Sequence, residues 1–321
     1  MKNRKIAFVF PGQGSQYVGM GKEICEQYPI AKKVYRQGDE KLDSLLSQLC
    51  FYGPEEELRL TVNTQPAILI TSAAILKVLE LEGIRPDYTA GHSLGEYTAL
   101  VAAGSLTIPE AVGLVRQRGI FMQEAVPPGQ GTMAAIIGLS IEDVQAVCAE
   151  IAREGAEVVE PANFNCPGQV AIAGHVGAVQ RAMELAKERG AKRVVPLSVS
   201  GPFHSSLLQP ASHRLAQVLE EVLISRPWVP VVANYTAGFT DDPQEIKENL
   251  VKQVCHAVLW QQSIEKLLTE GVNTFIEIGP GKVLSGLIKK IDKDVEIYNI
   301  EDRESLTKTV LSLKEAQRYV S

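Results

Sequence analysis

The chemistry of this chain is concentrated in Ala90-Gly91-His92-Ser93-Leu94-Gly95-Glu96, a Gly-x-Ser-x-Gly string between an extended stretch, Asp87 to Ala90, and a helix-like apolar run, Leu94 to Ala103. A serine so flanked fits a sharp strand-to-helix turn, because glycines two residues to either side let backbone pass where a Cβ would clash. Such a turn lifts Oγ into the open, and the helix behind it aims free N–H groups and a positive end at any oxyanion formed there. The same string also suits an ordinary glycine-flanked helix cap. Gly104, placed as a C-cap, keeps the helix short and puts Ser93 at its N-terminal tip.

A serine nucleophile needs a base, and five histidines are available. His92 adjoins Ser93 and is expected to turn to the other side of the elbow. His175, His213 and His256 lie in or after helical runs or in a second unit. His204 differs: it sits in Ser200-Gly201-Pro202-Phe203-His204-Ser205, a loop just ahead of a helix, where functional side chains are commonly presented. It is either the base that takes the Oγ proton or a plain loop histidine. Arg118 is the informative cation. On a wheel of about 100° per residue, Ala111, Leu114, Val115, Phe121, Met122 and Ala125 share one face with Arg118 at its middle, and Arg116 falls opposite. A guanidinium there stays charged and is costly to bury unpaired, so it should meet an anion, either a carboxylate substrate or one of the chain's own acids. Gly12-Gln13-Gly14 lacks the third glycine of a dinucleotide loop, since Tyr17 takes its place. It is either a plain turn or a source of backbone N–H donors beside the elbow.

The elements that must carry these groups alternate. Ile6 to Phe10 reads as a buried strand ending in the Pro11-Gly12-Gln13-Gly14 loop. Helices are expected over Glu23 to Tyr35, from Pro66 to Leu81, and from Pro109 to Val126, where Pro127-Pro128-Gly129 breaks the pattern. From there to about Ser200 the order is strand (Met133 to Gly138), helix (Ile141 to Arg153), strands (Val158 to Asn163 and Gln169 to Ala173), helix (Val176 to Arg189), strand (Arg193 to Val199). That βαββαβ order is the ferredoxin-like arrangement, whose ends lie close enough for insertion into another domain. Alternation then resumes, with helix from Ser205 to Leu223, strand Pro230 to Ala233, helices around Glu245 to Leu268, strand Thr274 to Ile278, helix Val283 to Lys290, strand Val295 to Ile300 and a last helix from Arg303. Residues 1–127 and 200–321 are thus expected to form one discontinuous α/β domain and residues 128–199 an insertion.

Composition bounds the function. A chain of 321 residues with a formal net charge of -6 argues against a nucleic-acid surface. Five scattered cysteines without Cys-x-x-Cys pairs suggest neither a disulfide framework nor a metal knuckle, and fit a reducing cytoplasm. The apolar run after Lys2, Arg4 and Lys5 is too short for a signal peptide, and Ala67 to Leu81 is too interrupted by polar residues to read as a membrane span.

Taken together, Phe10-Pro11-Gly12-Gln13-Gly14-Ser15-Gln16, Gly91-His92-Ser93-Leu94-Gly95-Glu96, Arg118-Gly119, Asn165-Cys166-Pro167-Gly168-Gln169, Phe203-His204-Ser205 and Glu277-Ile278-Gly279-Pro280-Gly281 occur in an order similar to that of the malonyl-CoA:acyl carrier protein transacylases. The resemblance runs nearly end to end. It implies a large α/β-hydrolase-like domain with a parallel sheet, carrying the ferredoxin-like insertion. It implies Ser93 as nucleophile, His204 as base, Gln13 and Leu94 N–H groups as oxyanion hole, and Arg118 as the grip on the malonyl carboxylate. The histidine would be oriented by the Gln253 carbonyl, although Ala257 stands where the family's loop has a proline. Phe203 would crowd an α-methyl branch, and His92 joins the substrate-binding set. The expected partners are malonyl-CoA as substrate and holo acyl carrier protein, without cofactor or metal, on a monomeric cytoplasmic protein with no nucleic-acid or membrane partner. A serine hydrolase of the α/β-hydrolase type would place its histidine near the chain end, whereas here more than a third of the chain follows His204.

Overall fold

The apolar run Ile6–Phe10 forms β1, buried from Ala7 onward. The computed structural model describes residues 4–199 and 201–318; Lys2 and Ser200 lie outside the described residues. The helical pattern after β1 is split into α1 (Lys22–Gln27) and α2 (Pro29–Leu42), because Pro29 forces Tyr28 into an extended conformation and opens the second helix at its first position. Two helices absent from the sequence expectation follow, α3 (Leu46–Tyr52) and α4 (Glu55–Arg59), each too short to show a period. Helix α5 then spans Thr61–Leu81, so Pro66 lies inside it instead of opening it. The proline ring leaves the Val62 carbonyl, four residues back, without its helical donor. Arg116 Nη1 supplies one at 3.0 Å, which also explains why this arginine, off the apolar face, is half-buried. With the extra turn, α5 has the length and composition of a membrane span, but 83% of its most apolar window is buried inside the protein.

Strand β2 (Tyr88–Gly91), α6 (Gly95–Ala102) and α7 (Ile108–Glu124) complete the first segment, with α5 packed between α2, α6 and α7. Gly104 takes the left-handed conformation just past α6, as a helix stop requires. Thr107 and Glu110 cap α7 reciprocally. The middle segment runs β3 (Gly131–Ile137), α8 (Ile141–Glu154), β4 (Val159–Cys166), β5 (Gln169–His175), α9 (Val176–Glu188) and β6 (Arg193–Pro196), pairing in the order β4-β5-β3-β6, all antiparallel. Its strands alternate faces. Ala134, Ile136, Val170 and Ile172 pack under α8 and α9, while Met133, Ala171 and Ala173 join the core of the larger unit.

The last segment supplies α10 (Gln209–Glu221) after a 3-10 turn at Ser206–Leu208, the two-residue strands β7 (Val231–Val232) and β8 (Phe239–Thr240), then α11 (Pro243–Cys255), α12 (Trp260–Thr269), β9 (Thr274–Ile278), α13 (Val283–Ile291), β10 (Glu296–Ile300) and α14 (Arg303–Arg318). The large sheet runs β10-β9-β1-β2-β7-β8, parallel except for β8, which returns as a hairpin on the edge. The helices expected around Glu245 to Leu268 are α11 and α12, parted where the chain between them extends to pair with β4. Val258 N donates to Ala162 O and Phe164 N to Val258 O, both at 2.9 Å. This stitch ties the small sheet to the large one.

Candidate active site

Five pieces of chain meet at the carboxyl ends of β1 and β2, where parallel sheets open a crevice. They are the loop after β1, the β2–α6 elbow, α7, the Phe203-His204 loop and the end of α11. The elbow is built as its spacing demands. Ser93 has φ 52°, in the left-handed region. A Cβ on Gly91 would overlap the Gly95 backbone, and one on Gly95 would overlap the Phe10 carbonyl, so both positions need glycine. Asn234, just past β7, braces the turn from below, accepting from Ser93 N and donating to Gly91 O, each at 2.6 Å.

Ser93 Oγ lies 2.7 Å from His204 Nε2, and His204 Nδ1 lies 2.8 Å from the Gln253 carbonyl. A carbonyl can only accept, so Nδ1 carries the proton and Nε2 presents its lone pair to the serine. That carbonyl is free because Gln253 stands in the last turn of α11, where helix carbonyls lack an intrahelical donor. With Ala257 in the loop beyond, the carbonyl stands within hydrogen-bond reach of Nδ1, and the chain leaving α11 pairs with β4 at Val258. His204 also has φ 61°, a strained setting for a side-chain-bearing residue, which the sequence did not signal. Burial, and then the positive charge of Arg118, pulls the imidazole down to about 3, keeping it neutral.

Arg118 is 1% exposed. Its Nη1 donates to Gln65 Oε1 at 2.6 Å, and its Nη2 to Gln253 Oε1 at 2.9 Å and to Ser93 Oγ at 3.2 Å. Among the described residues it forms no ion pair, so the alternative of a structural pair with one of the chain's acids is not what the fold contains. Neutral acceptors hold the guanidinium in place, and it keeps its charge there.

Gln13 and Leu94 line the same cleft as Ser93, and so does Phe203 beside Met122 and Met133. The Gly12 loop lies so close to the elbow that a Cβ there would stand 2.5 Å from His92 O. Gln13 Nε2 donates to Thr61 Oγ1 at 3.0 Å, which ties the side chain to the start of α5. The His92 ring turns away from Ser93, as its place beside the elbow suggested: it lies 2.9 Å from Asn165 Oδ1 and packs on Trp260, and the residue still lines the cleft. The Glu277 motif serves the fold: its carboxylate accepts from Leu284 N and from Ser285 N and Oγ at the start of α13. Sequence reasoning missed Gln65, Glu96, Asn234 and the His92–Asn165 bond. The signal available was a charged residue inside an apolar run, as at Glu96 within Leu94 to Ala103. Among the described residues no group of three or more His, Cys, Asp or Glu side chains gathers to hold a metal.

Residues 7–308 match the model of the acyl transferase domain family, and 311 residues are 52% identical to a malonyl CoA-acyl carrier protein transacylase of Bacillus subtilis, covering 97% of this chain and 98% of that protein. The chain belongs to the malonyl CoA-acyl carrier protein transacylase family. Among solved structures, an acyl carrier protein S-malonyltransferase from Vibrio cholerae superposes with a TM-score of 0.93 at 46% identity, covering 95% of this chain and 99% of that one. A malonyl-transacylase solved in complex with its type II PKS acyl-carrier protein does so with a TM-score of 0.93 at 42% identity, over 96% and 99%. The family transfers acyl groups, and the cleft of this chain brings a serine, a histidine and a buried guanidinium within reach of one another.

Proposed function

We propose that the chain transfers the malonyl group of malonyl-CoA to the phosphopantetheine thiol of acyl carrier protein through an O-malonyl-Ser93 ester, supplying extender units for fatty acid synthesis. One observation carries this reading: a single serine Oγ stands 2.7 Å from a neutral imidazole nitrogen and 3.2 Å from a buried, unpaired guanidinium. His204 Nε2 takes the Oγ proton as oxygen attacks the thioester carbonyl, and the oxyanion is held by Gln13 and Leu94 N–H groups at the tip of α6. The tetrahedral intermediate collapses, the carbon–sulfur bond breaks, and His204 returns its proton to the coenzyme A thiolate. In the second half-reaction His204 takes the carrier thiol's proton, sulfur attacks the ester, and Ser93 leaves reprotonated. Arg118 holds the free carboxylate throughout, which fixes the acyl carbonyl and selects malonyl over a neutral acyl group. Phe203 narrows the acyl pocket against a branched α-carbon. The five unpaired cysteines suit the reducing cytoplasm in which we place a monomeric enzyme without cofactor.

Intact-protein mass after brief mixing with malonyl-CoA, followed by purified holo carrier, tests this. A malonyl increment should map to Ser93, move to the carrier, and be missing in Ser93→Ala. An increment lost to malonate equally fast with or without carrier would make the protein a hydrolase instead.

A further inference from the structure

Glu96 follows the elbow glycine on α6, is 2% exposed, and takes no part in the acyl-transfer steps above. Its Oε2 accepts from Gln253 Nε2 at 2.7 Å and from Asn234 N at 3.1 Å. Gln253 is wholly buried, and its amide has two distinct ends. The Nε2 end faces acceptors only, the Glu96 carboxylate and Ser93 O at 2.9 Å, while Oε1 accepts from Arg118 Nη2. Turned over, the amide would set its NH2 against a guanidinium and its oxygen against a carboxylate. The carboxylate, at 2.7 Å the nearest acceptor of Nε2, acts with Ser93 O and Asn234 Oδ1 to set which end Arg118 meets.

We propose that Glu96 is a positioning residue for malonyl recognition: it locks the Gln253 amide with Oε1 toward Arg118 and so holds the guanidinium at Ser93 Oγ. Glu96 also lies near enough to offset the buried positive charge without occupying the N–H groups a substrate carboxylate needs. A direct ion pair would offset it too, but would fill the anion site. Burial raises the Glu96 carboxyl to about 7 against the pull of its hydrogen bonds, so a neutral glutamine of the same shape fits this position. The His204 arm is separate, since it rests on the Gln253 main-chain oxygen. Glu96 also accepts from the main chain of Asn234, whose side chain braces the elbow, so the malonyl-to-acetyl ratio, and not the rate alone, reports its effect on Arg118.

This inference rests on the reading of Arg118 as the malonyl grip, and the test keeps the two apart. Ser93 acylation by malonyl-CoA and by acetyl-CoA is followed by intact mass in the full-length wild type, Glu96→Ala and Glu96→Gln. In Glu96→Ala the malonyl-to-acetyl ratio of kcat/KM should fall about tenfold or more, the scale of one lost hydrogen bond to a charged group. Glu96→Gln keeps an acceptor for Gln253 Nε2 and should restore most of it. Equal losses on both substrates, or a glutamine variant no better than the alanine one, would overturn the proposal. Gln253→Met, which retains the main-chain carbonyl, should lower the same ratio; an unchanged ratio there would also overturn it, whatever the folding of Glu96→Ala. A wild type that forms no malonyl adduct at Ser93 would defeat the functional reading itself.

Discussion

Lowering the pH from 8 to 5.5 should leave Ser93 acylation almost unchanged, although a histidine serves as its base. An ordinary imidazole with a pKa near 6.5 would be about nine-tenths protonated at pH 5.5 and the rate would drop about tenfold. Here burial, and then the Arg118 charge, hold His204 at about 3, below the window. The sign follows from which form is the base: a depressed pKa keeps the neutral form, so activity persists as the pH falls. His204 Nδ1 stays protonated against the Gln253 carbonyl throughout, leaving Nε2 as the only acceptor for the serine proton. The assay is rapid-quench acylation with malonyl-CoA at half-unit pH steps, read as adduct mass. Glu96 gains a proton in the same range, at about 7, so Glu96→Gln is run in parallel. An acid limb with a midpoint near 6.5 that persists in Glu96→Gln would show that His204 is not held neutral and would refute the argument.

Two further substitutions test the anion grip and the elbow. Arg118→Ala removes two charge-assisted hydrogen bonds to the malonyl carboxylate, each worth about 1.5–3 kcal/mol, so kcat/KM for malonyl-CoA should fall on the order of a hundredfold to ten-thousandfold, with a much smaller loss for acetyl-CoA. Equal losses in steady-state kinetics would make Arg118 a purely structural cation. Gly95→Ala drives a Cβ into the Phe10 carbonyl of β1, where backbone cannot yield as a flexible side chain would. Urea unfolding should show a loss of about 1–3 kcal/mol, and adduct formation should slow as the elbow shifts; wild-type stability together with wild-type acylation would contradict the packing described.

What could be read before the fold was known is what has a local signature. Ser93 announces itself because a strained turn needs glycine on both sides, and Arg118 because a cation in the middle of an apolar helix face breaks a period. The βαββαβ order was legible because hairpins and crossovers of one small sheet are contiguous in sequence, and the structure bears that order out as the β4-β5-β3-β6 sheet. The two-residue edge strand β8, and helices of one or two turns such as α3 and α4, carry no period to read. Pro66 misled for a different reason: a proline inside a helix normally costs an unpaired carbonyl, and the arginine that takes up Val62 O lies 54 residues away. The same distance hid the residues that hold the site. Asn234 braces an elbow more than a hundred residues upstream, and Gln253 joins Glu96, Arg118 and His204 across three segments of chain. A reactive side chain must be presented by its own turn or face, so its neighbours in sequence betray it. The groups that orient it need only reach it in space, and a buried glutamine chosen for both ends of its amide looks, in sequence, like any other polar residue on a helix.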